Sequence, residues 1–246
     1  MSDFDRNAVA RGTFGDQAVA VDAGLRAHMI RVYNYMASAV AISGVIAWLT
    51  FNAAVTDGRL TSFGQTIFSP VTMIVLMLAT LGLVFFISFR IEKLQFTTAL
   101  TLFMIYAALL GVTLAPIFLV YTGTSITRVF FISAATFGAL SLWGYTTKRD
   151  LTAMGTFLMM GLIGLVIASL VNLFLKSSMM GFIISCVGVL VFAGLTAWDT
   201  QKIKEMYNAY DDGTISGRKA VMGALSLYLD FINLFIMLLR LIGDRR

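Results

Sequence analysis

What this chain has little of excludes several function classes at once. Its 246 residues include one cysteine, Cys186, so neither a disulfide framework nor a cysteine metal cluster can form. Only 13% of the residues are charged, against about 25% in an ordinary soluble domain, whereas 59% are hydrophobic. The single histidine, His28, stands before the first apolar run, where a lone boundary imidazole is expected to be solvated and to ligate no metal. The first 30 residues are polar and mixed in charge, with four aspartates beside Arg6, Arg11 and Arg26. No apolar stretch follows Met1, so no cleaved secretory signal is expected. Walker-type and dinucleotide motifs are absent, which makes passive movement down a gradient the default for any transport role. The last apolar segment has no lysine for a Schiff base, excluding a retinal-type receptor. A net charge of +5, carried in connections, is explained by topology rather than by nucleic acid.

What is present is membrane sequence. About 20 apolar residues span a hydrocarbon core, and seven segments qualify: Val32–Phe51, Pro70–Phe89, Thr98–Val120, Val129–Tyr145, Leu151–Leu175, Met179–Asp199 and Met222–Ile242. The expected fold is an all-α integral membrane bundle of seven helices over 32–246, preceded by a polar cytoplasmic tail over 1–31. Twelve of the eighteen Lys and Arg fall on the side of the N-terminus and six on the other. The positive-inside rule therefore puts the N-terminus in the cytoplasm and, after seven crossings, the C-terminus outside. Arg240, Arg245 and Arg246 weigh against that, which leaves a six-crossing arrangement with a re-entrant last segment as the alternative. Pro116 removes a backbone donor from the third segment and is expected to kink it. Gly161, Gly164, Gly188 and Gly194 read as close helix contacts, and Asn172 as either an interhelical bond or a cavity lining.

The chemistry centres on two acids. Asp230 lies in the middle of AVMGALSLYLDFINLFIMLLRLI (Ala220–Ile242), and Asp199 closes the segment before it. A carboxylate at bilayer depth costs about 2.5–3.5 kcal/mol on insertion scales, so it needs a partner, a proton or a water path. Ser226, Asp230, Asn233 and Met237 share one helical face, a polar stripe expected to point into the bundle. Asp199 and Lys202 share a face of the preceding helix, so a plain boundary ion pair is the simpler alternative for Asp199. A cation near the end of the second segment, Arg90 or Lys93, would serve as a partner in either case.

The runs LYLDFINLFIMLLR (Leu227–Arg240), AWDTQKIK (Ala197–Lys204) and GYTTKRDL (Gly144–Leu151) resemble the bacterial branch of the transmembrane Bax inhibitor motif family, founded on Bax inhibitor-1. GVTLAPIF in the third segment and ASLVNLFLKS at the end of the fifth extend the resemblance over all but the N-terminal tail. It implies a seven-helix bundle with the C-terminal helix at its centre, in a bacterial inner membrane. It also implies an aspartate pair, here Asp199 and Asp230, that acts as a pH-responsive latch linked to calcium leak. The family's basic partner falls on Arg90 or Lys93, with Lys202 and Asn233 as further gating neighbours.

Two carboxylates held together out of water share one proton rather than ionising twice. Protonated, the pair bridges its helices and closes the bundle. Deprotonated, it repels, opens a cytoplasmic path and offers oxygens to Ca²⁺, a weak site because two acids are too few for a tight one. The expected function is thus a pH-sensitive calcium leak without enzymatic activity or cofactor, with lipids and calcium as partners. Two alternatives remain. A non-transporting regulator would bind membrane proteins or a membrane protease, using the tail as a docking segment. An intramembrane aspartyl protease would also pair acids on two helices, but its Gly-x-Gly-Asp is replaced by Leu227-Tyr228-Leu229-Asp230 and no Pro-Ala-Leu follows.

Overall fold

Backbone polar groups in lipid must be satisfied within the segment, so long apolar runs become helices. A computed structural model describes residues 3–246, with side chains from residue 23 onward. In chain order it has α1 (Asp3–Ala54), a small hairpin of β1 (Val55–Thr56) and β2 (Arg59–Leu60), α2 (Ser62–Ile67), and α3 (Pro70–Arg90) ending in a 3₁₀ turn (Ile91–Lys93). Then follow α4 (Phe96–Leu114), α5 (Ile117–Val120), α6 (Gly123–Thr146), α7 (Thr152–Leu175), α8 (Ser178–Glu205) and α9 (Gly213–Ile242). Seven stretches are long and apolar enough to cross a membrane, with α4 and α5 together forming the third, Phe96–Val120.

Caps set several of the helix starts. The side chains of Ser69, Thr122, Ser177 and Asp212 each accept a backbone N–H of the first turn that follows, and Pro70 takes the first helical position of α3. Four expectations need correction. Pro116 does not bend one helix; α4 stops at Leu114 and α5 starts after the proline, whose missing N–H ends the ladder. The tail boundary at residue 31 also shifts, because α1 runs through it and already buries His28, Met29 and Val32. His28 is 3% exposed rather than solvated, its ring 5.7 Å from that of Tyr207. Finally, Gly164 faces open space, unlike Gly161, Gly188 and Gly194, which do meet neighbouring side chains. The docking role expected of the tail rests largely on side chains before residue 23, outside the described residues.

The C-terminal helix is the centre. Of its apolar window 61% is buried, against 6% for α7, which packs mainly on α8 and otherwise faces outward. Around α9 stand α8, α1, α6 and α4. Edge-on aromatic contacts fix it in place: Phe103 and Tyr106 against Tyr228, and Phe130 and Phe137 against Phe231. Its far end is tied down by Arg246 N–H to Val120 O at 2.9 Å, Thr122 N–H to Asp244 O at 3.2 Å and Asp244 N–H to Ser125 Oγ at 2.8 Å. That junction lies at the start of α6, whereas Lys204, near the end of α8, reaches Tyr145 at the other end of α6. The last segment therefore runs the full length of the bundle and is not re-entrant.

Candidate functional site

The α8–α9 contact positions the two acids. A Cβ on Gly188 would come within 2.8 Å of the Met237 side chain, and one on Gly223 within 3.0 Å of Ile203, so two glycines set a close antiparallel register. Asp230 thereby comes opposite Asp199, close enough for the two carboxyl groups to interact directly. Counting depth from Ala220 places Asp230 too deep for this, but α9 starts at Gly213 and Gly217 already packs on Phe96, so its first turns overhang the end of α8.

Asp230 is 5% exposed, and its Oδ2 meets no N–H or O–H donor among the described residues. Carboxylate oxygens only accept, so between two of them a hydrogen bond requires a proton on one. Lys202 forms no ion pair with Asp199 among the described residues; its Nζ lies over the Trp198 ring, 5.1 Å from the centroid. The simple boundary pair is thus not formed.

The two aspartates line a cavity of about 800 Å³ bounded mainly by α7, α8 and α9. Ser226, Asn233 and Met237 line it too, as the shared helical face requires, together with Lys202. The Asn233 amide donates to Leu229 O at 2.8 Å within its own helix. Arg90 and Lys93 do not line the cavity. Both are exposed at the end of α3, which packs on α4 and contributes only Met77 to the wall. The second lining cation is instead Arg240, near the opposite end of α9.

A different polar centre lies two residues away. Tyr228 is fully buried, its hydroxyl 2.6 Å from Ser43 Oγ, which also lies 2.7 Å from Ala107 O. A second hydroxyl chain joins Tyr33, Ser141 and Thr200 through contacts of 2.6 and 2.9 Å, ending on Thr196 O. Beside Asp199, Gln201 holds the α6–α7 connection, accepting from Leu151 N–H and donating to Arg149 O, both at 2.8 Å. In that connection the Asp150 carboxylate accepts from Thr152 and is held below the usual carboxylate range. Asn172 caps the following turn, accepting from Ser177 N–H at 3.0 Å. Sequence reasoning missed Tyr228, Ser43, Thr200 and Arg240. Only Tyr228 carried a signal, its place two positions before Asp230.

Residues 25–246 match the family described as inhibitor of apoptosis-promoting Bax1. The chain belongs to this Bax inhibitor-1 family. Among similar family proteins, the inner membrane protein YbhL of Escherichia coli K12 is 46% identical over 233 residues, covering 94% of this chain and 97% of YbhL. A Rickettsia prowazekii protein, RP147, is 48% identical over 225 residues, 92% of each chain. A Caulobacter vibrioides relative is 43% identical across the full length of both. The match begins inside α1 and runs to the last residue, so both aspartates and the whole bundle belong to the family's region.

Proposed function

We propose that this family member is a passive, pH-gated cation leak, with the Asp199–Asp230 pair as its gate and calcium as its ion. The single observation that carries this reading is two carboxyl groups facing each other at the wall of a cavity with no donor between them. With one proton shared, α8 and α9 are bridged and the leak is closed. Loss of that proton leaves two like charges in a medium of low dielectric constant, where repulsion is strong. The helices separate, and the freed oxygens, with those of Ser226 and Asn233 on the same wall, give a passing cation a weak site. Among the described residues no three His, Cys, Asp or Glu side chains converge, which suits transit rather than retention.

The E. coli relative, an inner membrane protein, supports a bacterial inner membrane for this chain. The excess of Lys and Arg on the side of the N-terminus supports a cytoplasmic N-terminus and a periplasmic C-terminus. The test is calcium flux into dye-loaded proteoliposomes across a pH series. Leak should rise with pH for the unmodified chain and become independent of pH in Asp199→Asn and Asp230→Asn. A pH profile retained in both variants overturns the reading.

A further inference from the structure

Among the described residues, the face of α9 turned away from the aspartates is not sealed by protein. The helices α1 and α6 flank it and are joined by the Tyr33–Ser141 hydrogen bond of 2.6 Å, but two cavities lie between them. One, of about 570 Å³, is walled by Gly44 and Trp48 of α1 and Gly123 and Phe131 of α6, with Phe231 and Phe235 of α9 as its floor. The other, of about 540 Å³, lies toward the opposite end and is lined by Arg26, Tyr33, Gly138 and Tyr145.

Glycines on neighbouring membrane helices ordinarily mark backbones drawn together. Here a Cβ on Gly44, Gly123 or Gly138 would meet nothing within 4 Å. The small residues line a space and do not close a contact. The two cavities share no lining residue but follow one another along α1, one from Arg26 to Tyr33 and the other from Val40 to Trp48, together over 22 residues of helix, about 33 Å, close to the ~30 Å of a hydrocarbon core. Apolar walls at that depth do not hold water. Charge sets the polarity of the occupant: Arg26 is exposed at one mouth, and the Lys204 ammonium donates to Tyr145 O, 2.9 Å away, at the same end. Cations at that level attract anionic headgroups.

We infer that the α1–α6 face is a binding site for an anionic phospholipid, its phosphate at Arg26 and an acyl chain passing from the Gly138 cavity over the Tyr33–Ser141 bridge to the Gly44 cavity, where it meets α9. The site is independent of whether the protein conducts ions.

Native mass spectrometry of the full chain in detergent, with equal phosphatidylglycerol and phosphatidylcholine added, tests it. A retained phosphatidylglycerol adduct is expected. Gly44→Leu combined with Gly138→Leu fills the empty space and should remove the adduct while preserving the melting temperature. Arg26→Gln should lower phosphatidylglycerol retention about fivefold, the factor one interfacial cation contributes, and Arg26→Lys should restore it. Equal retention of both lipids by the unmodified chain, or an undiminished adduct in the double variant, overturns the proposal. A dimer mass abolished by the double variant also overturns it, since the face would then hold a second copy. If the double variant does not melt cooperatively, Arg26→Gln decides alone.

Discussion

Tyr228 and Asp230 sit two residues apart on one helix, about 200° around its axis, and are both almost entirely buried. Yet their surroundings differ in kind. The Tyr228 hydroxyl has Ser43 at 2.6 Å, a neutral pair in which either oxygen can donate, and two aromatic rings brace its edge. Asp230 faces another acid, and its Oδ2 has no donor among the described residues. The first arrangement is satisfied at every accessible pH. The second is completed only by a proton taken from solvent. One face of α9 is therefore built to hold and the other to change.

That contrast is open to direct attack. The largest loss of stability is expected from Tyr228→Ala, which empties a fully buried aromatic site at a cost of about 3–5 kcal/mol. Thermal unfolding in detergent measures it, and a loss below that of any aspartate variant would reverse the assignment of roles. Ser43→Ala comes next: it strands the Tyr228 hydroxyl in the core for about 1–3 kcal/mol, without altering the pH profile of flux. Asp230→Asn should cost under about 1 kcal/mol at neutral pH, because its amide can donate to Asp199 where the carboxylate could not. That variant should nonetheless abolish pH-dependent leak, so a small change in stability would accompany a complete change in function.

The smallest effect is expected at Asp150, outside the bundle. Its carboxyl is held below the usual range by its hydrogen bond to Thr152, so its stabilising contribution is present at neutral pH. That contribution is lost only as pH falls through the acid range. Asp150→Asn should remove a small acid-side dependence from the melting curve and leave calcium flux unchanged.

Much of this was legible in the sequence. Seven apolar runs fixed the helix count, and the face shared by Ser226, Asp230, Asn233 and Met237 proved to be one cavity wall. Helix ends were less legible. The largely polar stretches 200–205 and 213–219 continue α8 and α9, because caps and contacts with neighbouring elements, not hydropathy, end those helices. Arg90 and Lys93 looked suitable by their place in the chain, but whether α3 adjoins α8 is a tertiary fact that no local pattern encodes. Ser43 was hidden for a similar reason. A single hydroxyl in an apolar run shows its importance only once its partner, 185 positions away, is known.

The position of α9 also has a consequence for how the protein is made. Synthesis delivers the N-terminal helices first, yet the element around which the others assemble is made after the other six crossings. Until then, α1, α4, α6 and α8 have no central surface to pack on, and the stretch from Gly243 to Arg246 that ties α9 to the α5–α6 junction does not yet exist. Assembly of this bundle thus waits for its seventh crossing. A premature stop before or early in α9 would leave the preceding helices inserted but without the core that unites them.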